Sequence, residues 1–406
     1  MKKILLSSAA VFALAGAAAA DITFTGVAEL GFNDTDNGVT VDAAGVATDK
    51  NDDNNGFYAD LEITAGLSAE LDNGLTAAAS LNLEDLGNTV SGTDSQTAAG
   101  TGAAATGPVG SANRSNIDYT LSLTSETTGL FYGNTTFAAE NLWTSAGDME
   151  ADGFSESDGE EVFRSEANFG AIEAQLSYAL SNANGVRVGN AAVGGDSVDQ
   201  LALAVAGDFG GVNVVAAYQA DSGVNAGAHR ASNGDFNEAE IFGLSVGTTL
   251  AGADIRLAYA TQNGDVQGDG TADDRDSVGL RVAYPIGPVT ATAYFVSESV
   301  GKDNWGINAA YEDGPFAVSL DYQDDQGTAK VGLEGSFDAG NGLMMFAGYL
   351  TEDNKDDRFY VAGTYDLGSG AELLVSFAAD DSDVDEDEIG AGDYQEGTTI
   401  ELSFEF

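Results

Sequence analysis

Eight carboxylates lie between Glu140 and Val162: Glu140, Asp148, Glu150, Asp152, Glu156, Asp158, Glu160 and Glu161, with no Lys or Arg among them. Acidic side chains gathered at a narrow point select and concentrate cations. The plainer reading is a solvated outer loop, which charge runs usually are. A denser acidic run follows later, at Asp380, Asp381, Asp383, Asp385, Glu386, Asp387, Glu388 and Asp393. Its oxygens, with Asp381, Asp383, Asp385 and Asp387 as the candidate ligands, suit loosely held Ca²⁺ or other divalent ions. Asn51-Asp52-Asp53-Asn54-Asn55-Gly56 followed by Glu62 nearly fits an EF-hand loop, but its first position is Asn and Glu62 belongs to a strand.

Catalysis has little to work with. The chain holds no Cys and one His. That residue, His229, stands in Gly227-Ala228-His229-Arg230 with no adjacent acid to orient it, so a loop histidine is expected rather than a general base. Thiolate and multi-His metal sites are excluded, and no cofactor is required. With 66 Asp+Glu against 14 Lys+Arg and a net charge of -52, nucleic acid is excluded as a partner. At 43% hydrophobic residues the chain is too apolar for a disordered acidic polymer.

The elements that must carry these charges are strands. In Ile400-Glu401-Leu402-Ser403-Phe404-Glu405-Phe406 apolar and polar residues alternate strictly, and the same period of two recurs at 60–67, 254–259 and 278–284. Alternation assigns one face of each strand to the interior. The acidic residues on that face are Asp60, Glu62, Glu84, Asp118, Glu166, Glu173, Asp254, Asp321, Glu334, Asp366, Glu372 and Glu401. The basic ones are Arg164, Arg256, Arg281, Lys330 and Arg358, placed either across from the loop carboxylates or in local cross-strand pairs. Carboxylates outnumber basic groups more than two to one on this face, which predicts a preference for cations.

Tight turns are expected at Asp72-Asn73-Gly74, Gly129, Gly170, Gly210-Gly211, Gly252, Gly287, Gly314, Gly340 and Gly368. Between them strands of roughly 9–10 residues suffice to cross a bilayer when tilted. The other connections are long and polar early in the chain (33–56, 87–116, 140–162, 181–199) and short later. Short turns on one side and long loops on the other describe a membrane barrel. Aromatics flank both strand ends on the apolar face, as at Phe169, Phe209 and Tyr284 before turns and Tyr218, Tyr259 and Phe295 after them. The charged opposite face disfavours a packed β-sandwich, and the variable period disfavours a β-solenoid. Nine turns plus the terminal strands count twenty, with sixteen or eighteen as the other even numbers considered. Such a size leaves an aqueous lumen.

Met1-Lys2-Lys3, an apolar core from Ile4 to Ala17, and Ala18-Ala19-Ala20 before Asp21 form a secretory signal peptide. The expected organisation is therefore a signal peptide over 1–20 and a single barrel over 21–406.

The alternating end at Leu402, Phe404 and Phe406 resembles the C-terminal signature of Gram-negative outer-membrane barrels. The start, Lys2-Lys3-Ile4-Leu5-Leu6-Ser7-Ser8 and Ile22-Thr23-Phe24-Thr25-Gly26, resembles alphaproteobacterial general porins of the Rhodobacter type, as does Gly129-Leu130-Phe131-Tyr132-Gly133-Asn134. That resemblance implies a trimer of sixteen-stranded barrels in the outer membrane and insertion by the barrel-assembly machinery through the Phe406 strand. It also implies that the third outer loop, here 140–162 after the fifth strand, folds inward as a constriction. Two features depart from the family pattern: the hairpin count is larger, and the second strand presents Asp60 and Glu62 where the family places arginines. The expected function is passive diffusion of ions and small hydrophilic solutes. Other readings are a substrate-selective channel, which calls for an inward aromatic track of which Tyr360 is one candidate, and a calcium-dependent acidic surface or adhesion protein.

Overall fold

The computed structural model describes residues 21–34, 40–41, 47–48, 56–83, 117–157, 161–181, 197–222, 236–264, 274–353, 355, 357–379 and 394–406. The strands in chain order are β1 (Asp21–Asn33), β2 (Thr40–Val41), β3 (Ala47–Thr48), β4 (Gly56–Glu70), β5 (Thr76–Leu83), β6 (Ile117–Thr124) and β7 (Thr128–Gly133). One short helix, α1 (Ala138–Leu142), precedes β8 (Val162–Phe169), β9 (Ile172–Ser181), β10 (Ser197–Asp208), β11 (Val212–Gln219), β12 (Glu240–Leu250) and β13 (Ala253–Asn263). There follow β14 (Arg275–Ile286), β15 (Val289–Glu298), β16 (Asn304–Asp313), β17 (Phe316–Asp325) and β18 (Thr328–Gly340). The last are β19 (Leu343–Glu352), β20 (Arg358–Gly368), β21 (Ala371–Ala378) and β22 (Gly397–Glu405).

β2 and β3 pair only with each other. The other strands form one antiparallel sheet of twenty. It closes because β1 pairs with β4 on one side and with β22 on the other, in register from Val27↔Glu405 to Asn33↔Thr399. Phe406 completes the seam, its N–H donating 2.9 Å to the Gly26 carbonyl. Closure leaves no edge, so every strand finds backbone partners without water. The count settles on twenty, not the sixteen implied by the family resemblance.

Alternation sets the faces as expected. Leu203, Val205, Leu244, Leu257, Leu280, Ile307, Leu320, Val361 and Ile400 are all exposed on the outside. An apolar belt of this extent belongs against hydrocarbon, not water. A ten-residue strand such as β16 rises ~33 Å and, tilted by about 40°, covers ~25 Å, the height of that belt. Aromatics rim it at both ends: Phe169, Phe209 and Phe316 beside short turns, Tyr259, Phe295, Trp305 and Phe359 towards the long connections. No helix among the described residues is long and apolar enough to cross a membrane.

The short turns fall at the predicted glycines with one exception. Gly129 lies inside β7. The β6–β7 turn is built instead by Ser125, whose Oγ accepts the N–H groups of Thr127 and Thr128 at 3.2 and 3.0 Å. A serine hydroxyl can close a turn without left-handed backbone, and a glycine count misses it.

Candidate functional site

The chain between β7 and β8 does not project outward. It folds against the inner wall, with α1 at its start. Phe137 and the α1 residues Ala138 and Ala139 are fully buried. Ala138 N–H donates 2.8 Å to Ser177 Oγ on β9, and Asn141 Nδ2 donates 3.0 Å to Gln175 Oε1 on the same strand. Further on, Ala151 N–H donates 3.0 Å to Ser277 Oγ on β14, and Ser155 N–H donates 2.8 Å to Gln219 Oε1 on β11. Asn304 Nδ2 on β16 donates 3.1 Å to the Asp148 carbonyl, and Gln323 Nε2 on β17 donates 2.9 Å to Asp148 Oδ2. The loop is thus fastened along the wall from β9 to β17.

It fits because the inward side chains beneath it are small. Ala202, Ala204, Ala217 and Ala239 pack with Phe154 and α1, while Ala258, Ala260 and Val296 pack with Ala146, Met149 and Ala151. A Cβ at Gly279 would collide with the Ala146 carbonyl, and one at Gly243 would lie 2.5 Å from the Trp143 ring. Inward alanine and glycine on neighbouring strands were the readable trace of this seat, and reading the strands only for charge overlooks it.

The eight loop carboxylates separate into groups. Asp148, Glu150 and Asp152 are engaged in holding the loop. Glu150 accepts Asn304 Nδ2 at 3.3 Å and pairs with Arg275 at 3.5 Å, and Asp152 accepts the Trp143 indole N–H at 2.8 Å. Glu156 is exposed. Glu140 is half-buried, with one oxygen, Oε2, lacking a hydrogen-bond partner among the described residues. Burial, and then the negative charge of Glu156, push its pKa up to about 7 against the opposing pull of the Phe137 backbone N–H and Arg164. Glu161 stands apart from the expected cluster. It accepts the hydroxyls of Tyr119 at 2.8 Å and Tyr132 at 2.6 Å on the outward face, because its odd position before β8 points away from the lumen. Asp158 and Glu160 lie outside the described residues, as do Glu84, His229, residues 51–55 and Asp381, Asp383, Asp385 and Asp387. No group of three or more His, Cys, Asp or Glu among the described residues converges to hold a metal ion.

The basic wall residues also divide. Arg164 lies inward on β8, its guanidinium 4.7 Å over the Phe131 ring and 3.4 Å from Gln175 Oε1. Lys330 pairs with Asp325 at 3.1 Å, and Arg358 pairs with Glu352 at 3.0 Å, all but Asp325 nearly buried. These are local pairs. Arg256 and Arg281 differ: they face each other directly across β13 and β14, and neither forms an ion pair among the described residues. Arg256 instead donates 2.8 Å to Ser245 Oγ.

The acidic wall residues have a centre too. Glu29, which alternation should have included, sits opposite Asp60 on β4 and Ser403 on β22, with Glu62 and Glu401 beside it. Tyr58 OH donates 2.6 Å to Glu401 Oε2. Elsewhere Asp254 accepts Thr249 Oγ1 at 2.6 Å, Glu173 accepts Gln175 Nε2 at 2.7 Å, and Asp321 accepts Ser319 Oγ and Asn308 Nδ2. Glu334 accepts Tyr360 OH at 3.4 Å, Glu166 lies opposite Gly129 and Gln175 in the sheet, and Asp118 is paired with Asn82. In the ring of twenty strands β13 is ten removed from β1, so the Arg256–Arg281 pair stands across the lumen from the Glu29 cluster. With strands about 4.8 Å apart and tilted by about 40°, that separation is ~40 Å between backbones, before the loop and side chains narrow it.

Inward aromatics are more numerous than expected. Tyr58, Tyr294 and Tyr360 lie across Gly31, Gly306 and Gly348 of the adjoining strands, where any Cβ would strike the ring. Tyr360 was the one foreseen.

A profile of the Gram-negative porin family matches residues 7–385. No curated protein sequence matches the chain. Among solved structures, a five-substitution mutant of Rh. blastica porin is similar at 15% identity over 95% of this chain and 100% of that chain, with a TM-score of 0.40. A two-substitution mutant gives 15% identity, the same coverages and 0.37, and a triple mutant of Rhodopseudomonas blastica porin gives 14%, the same coverages and 0.36. At such scores these likenesses carry no weight beyond the family match. A closed twenty-stranded barrel with an apolar belt, together with that match over most of its length, places this chain in the Gram-negative porin family, whose members are outer-membrane channels and not enzymes.

Proposed function

We propose that this protein is a general diffusion porin with a preference for cations, of the alphaproteobacterial type, and that the loop between β7 and β8 is its constriction. The observation that carries this reading is the fastening of that loop to the inner wall from β9 to β17. Its free face then looks towards the Glu29, Asp60, Glu62 and Glu401 wall, so a permeating ion passes between carboxylates on one side and the loop on the other. Arg256 and Arg281 temper the negative potential locally without reversing it. Residues 1–20 serve as the signal peptide and 21–406 as a single barrel that assembles as a trimer. Phe406 and its strand are the handle for insertion, and the acidic outer loops share divalent ions with lipopolysaccharide.

The test is ion current across a planar bilayer containing the purified mature protein under a KCl gradient. The expected result is stepwise conductance, in threes, with a reversal potential favouring K⁺. A reversal potential favouring Cl⁻ removes the cation preference, and absence of conductance from folded protein removes the porin function.

A further inference from the structure

Beside the seam where the barrel closes, β1, β4, β21 and β22 enclose a recess of about 190 Å³ that opens to the lumen. Glu29, Tyr58, Ser376, Thr399 and Glu401 line it, and Tyr394 and Gln395, from the segment before β22, overhang it. Three observations mark it as a built site. Tyr58 reaches across Gly31 on β1, where any Cβ would strike its ring, to give its hydroxyl to Glu401 at 2.6 Å. That bond fixes one oxygen of a carboxylate that lines the recess. Tyr394 is held by its ring against Tyr360, centroids 4.7 Å apart. Ser376 is only 2% exposed, yet among the described residues its hydroxyl has no hydrogen-bond partner, an arrangement that normally calls for one.

We infer that this recess binds a small organic ammonium ion bearing a hydroxyl group. The Glu29 and Glu401 carboxylates supply the counter-charge. The faces of Tyr58 and Tyr394 suit a soft, poorly hydrated cation. The ligand's hydroxyl supplies the partner that the Ser376 hydroxyl lacks among the described residues. A metal ion fits less well, because among the described residues only two carboxylates line the recess, beside Tyr58, Tyr394, Leu374, Gln395, Ser376 and Thr399. The site adds selective capture to the channel proposed above and rests on that reading for its role, though not for its existence.

Choline is the probe. Titration calorimetry on the detergent-solubilised full-length protein reads binding without any conductance. Choline block of K⁺ current in a bilayer reads its effect on transport. Saturable binding in the millimolar range is expected. Glu401→Gln should weaken it by about tenfold or more, since a charge-assisted contact is lost. Tyr394→Leu lies outside the strands and serves as the second variant should Glu401→Gln fail to fold; it should weaken binding about fivefold. Ethyltrimethylammonium, lacking the hydroxyl, should bind more weakly to the native protein but equally to Ser376→Ala. Binding without conductance would leave the site standing and remove the channel function. Conductance without saturable choline binding would overturn the site, as would Ca²⁺ binding in its place or choline binding indifferent to all three substitutions.

Discussion

Replacing Arg256 and Arg281 together by Gln should sharpen the cation preference, and by an amount that depends on salt. The two guanidinium groups face each other on adjacent strands with no carboxylate within ion-pair distance among the described residues, so their charge is available to the lumen. An ion passing about 8 Å from each feels ~0.5 kcal/mol per charge in water, ~1 kcal/mol for the pair. At 0.1 M salt, with a screening length of about 10 Å, this falls to ~0.45 kcal/mol. The substitution relieves a cation by that amount and removes the same attraction from an anion, so the K⁺ to Cl⁻ permeability ratio should rise about fivefold. At 1 M salt, with screening over about 3 Å, the same sum gives roughly 1.3-fold. Reversal potentials under KCl gradients at low and high mean concentration measure both. An unchanged or lower ratio at 0.1 M would refute the placement of this pair on the conducting path. An equal change at both concentrations would show that the substitution altered pore shape instead of potential.

Glu140→Gln should flatten the pH dependence of selectivity around neutrality. The raised pKa favours the folded loop below about 4.5, and that benefit is lost as pH rises through about 7, where the carboxylate must ionise beside Glu156. The wild-type permeability ratio should therefore change between pH 6 and 8 while the variant's stays flat, and a parallel change in both would exclude Glu140 as its origin. Gly279→Val places a side chain against the Ala146 backbone. Overpacking of this kind costs about 1–3 kcal/mol, less than the several loop-to-wall hydrogen bonds at about 1 kcal/mol each, so the loop should shift and not detach. Single-channel conductance should change modestly; a wide-open channel would mean that the loop is weakly held. Arg358→Met strips a partner from Glu352, itself about 5% exposed in its side chain. Because Lys355 also contacts Glu352 at 3.0 Å, the cost should be about 1–3 kcal/mol, less than for a fully orphaned buried charge, and should appear as a lower thermal midpoint in detergent.

How far the site could be read in advance differs residue by residue. Asp60, Glu62, Arg256 and Arg281 could be given a face in advance, because side-chain direction follows from the period of two alone. Glu161 was misplaced because membership of an acidic run says nothing of parity with the next strand. Asp148, Glu150 and Asp152 were expected to face the pore, yet their hydrogen bonds run to Gln323, Arg275, Asn304 and Trp143, most of them over a hundred residues away. Gly129 was taken for a turn because a serine-closed turn leaves no glycine to find.

By itself the sequence determined the all-β barrel class, the apolar face that each strand turns to lipid and most of the short turns, Gly129 excepted. These follow from local alternation and turn chemistry, which need no knowledge of neighbours. Only the tertiary structure decided where each charge lies around the ring. Closing β1 onto β22 unites Glu29 and Glu401, residues from opposite ends of the chain, and sets them across the lumen from Arg256. Alternation gives a side chain its direction but not its azimuth, and azimuth belongs to the closed circle of twenty strands. The path of the loop was decided in the same way, by a seat of alanines and glycines that becomes a surface only when their strands lie side by side.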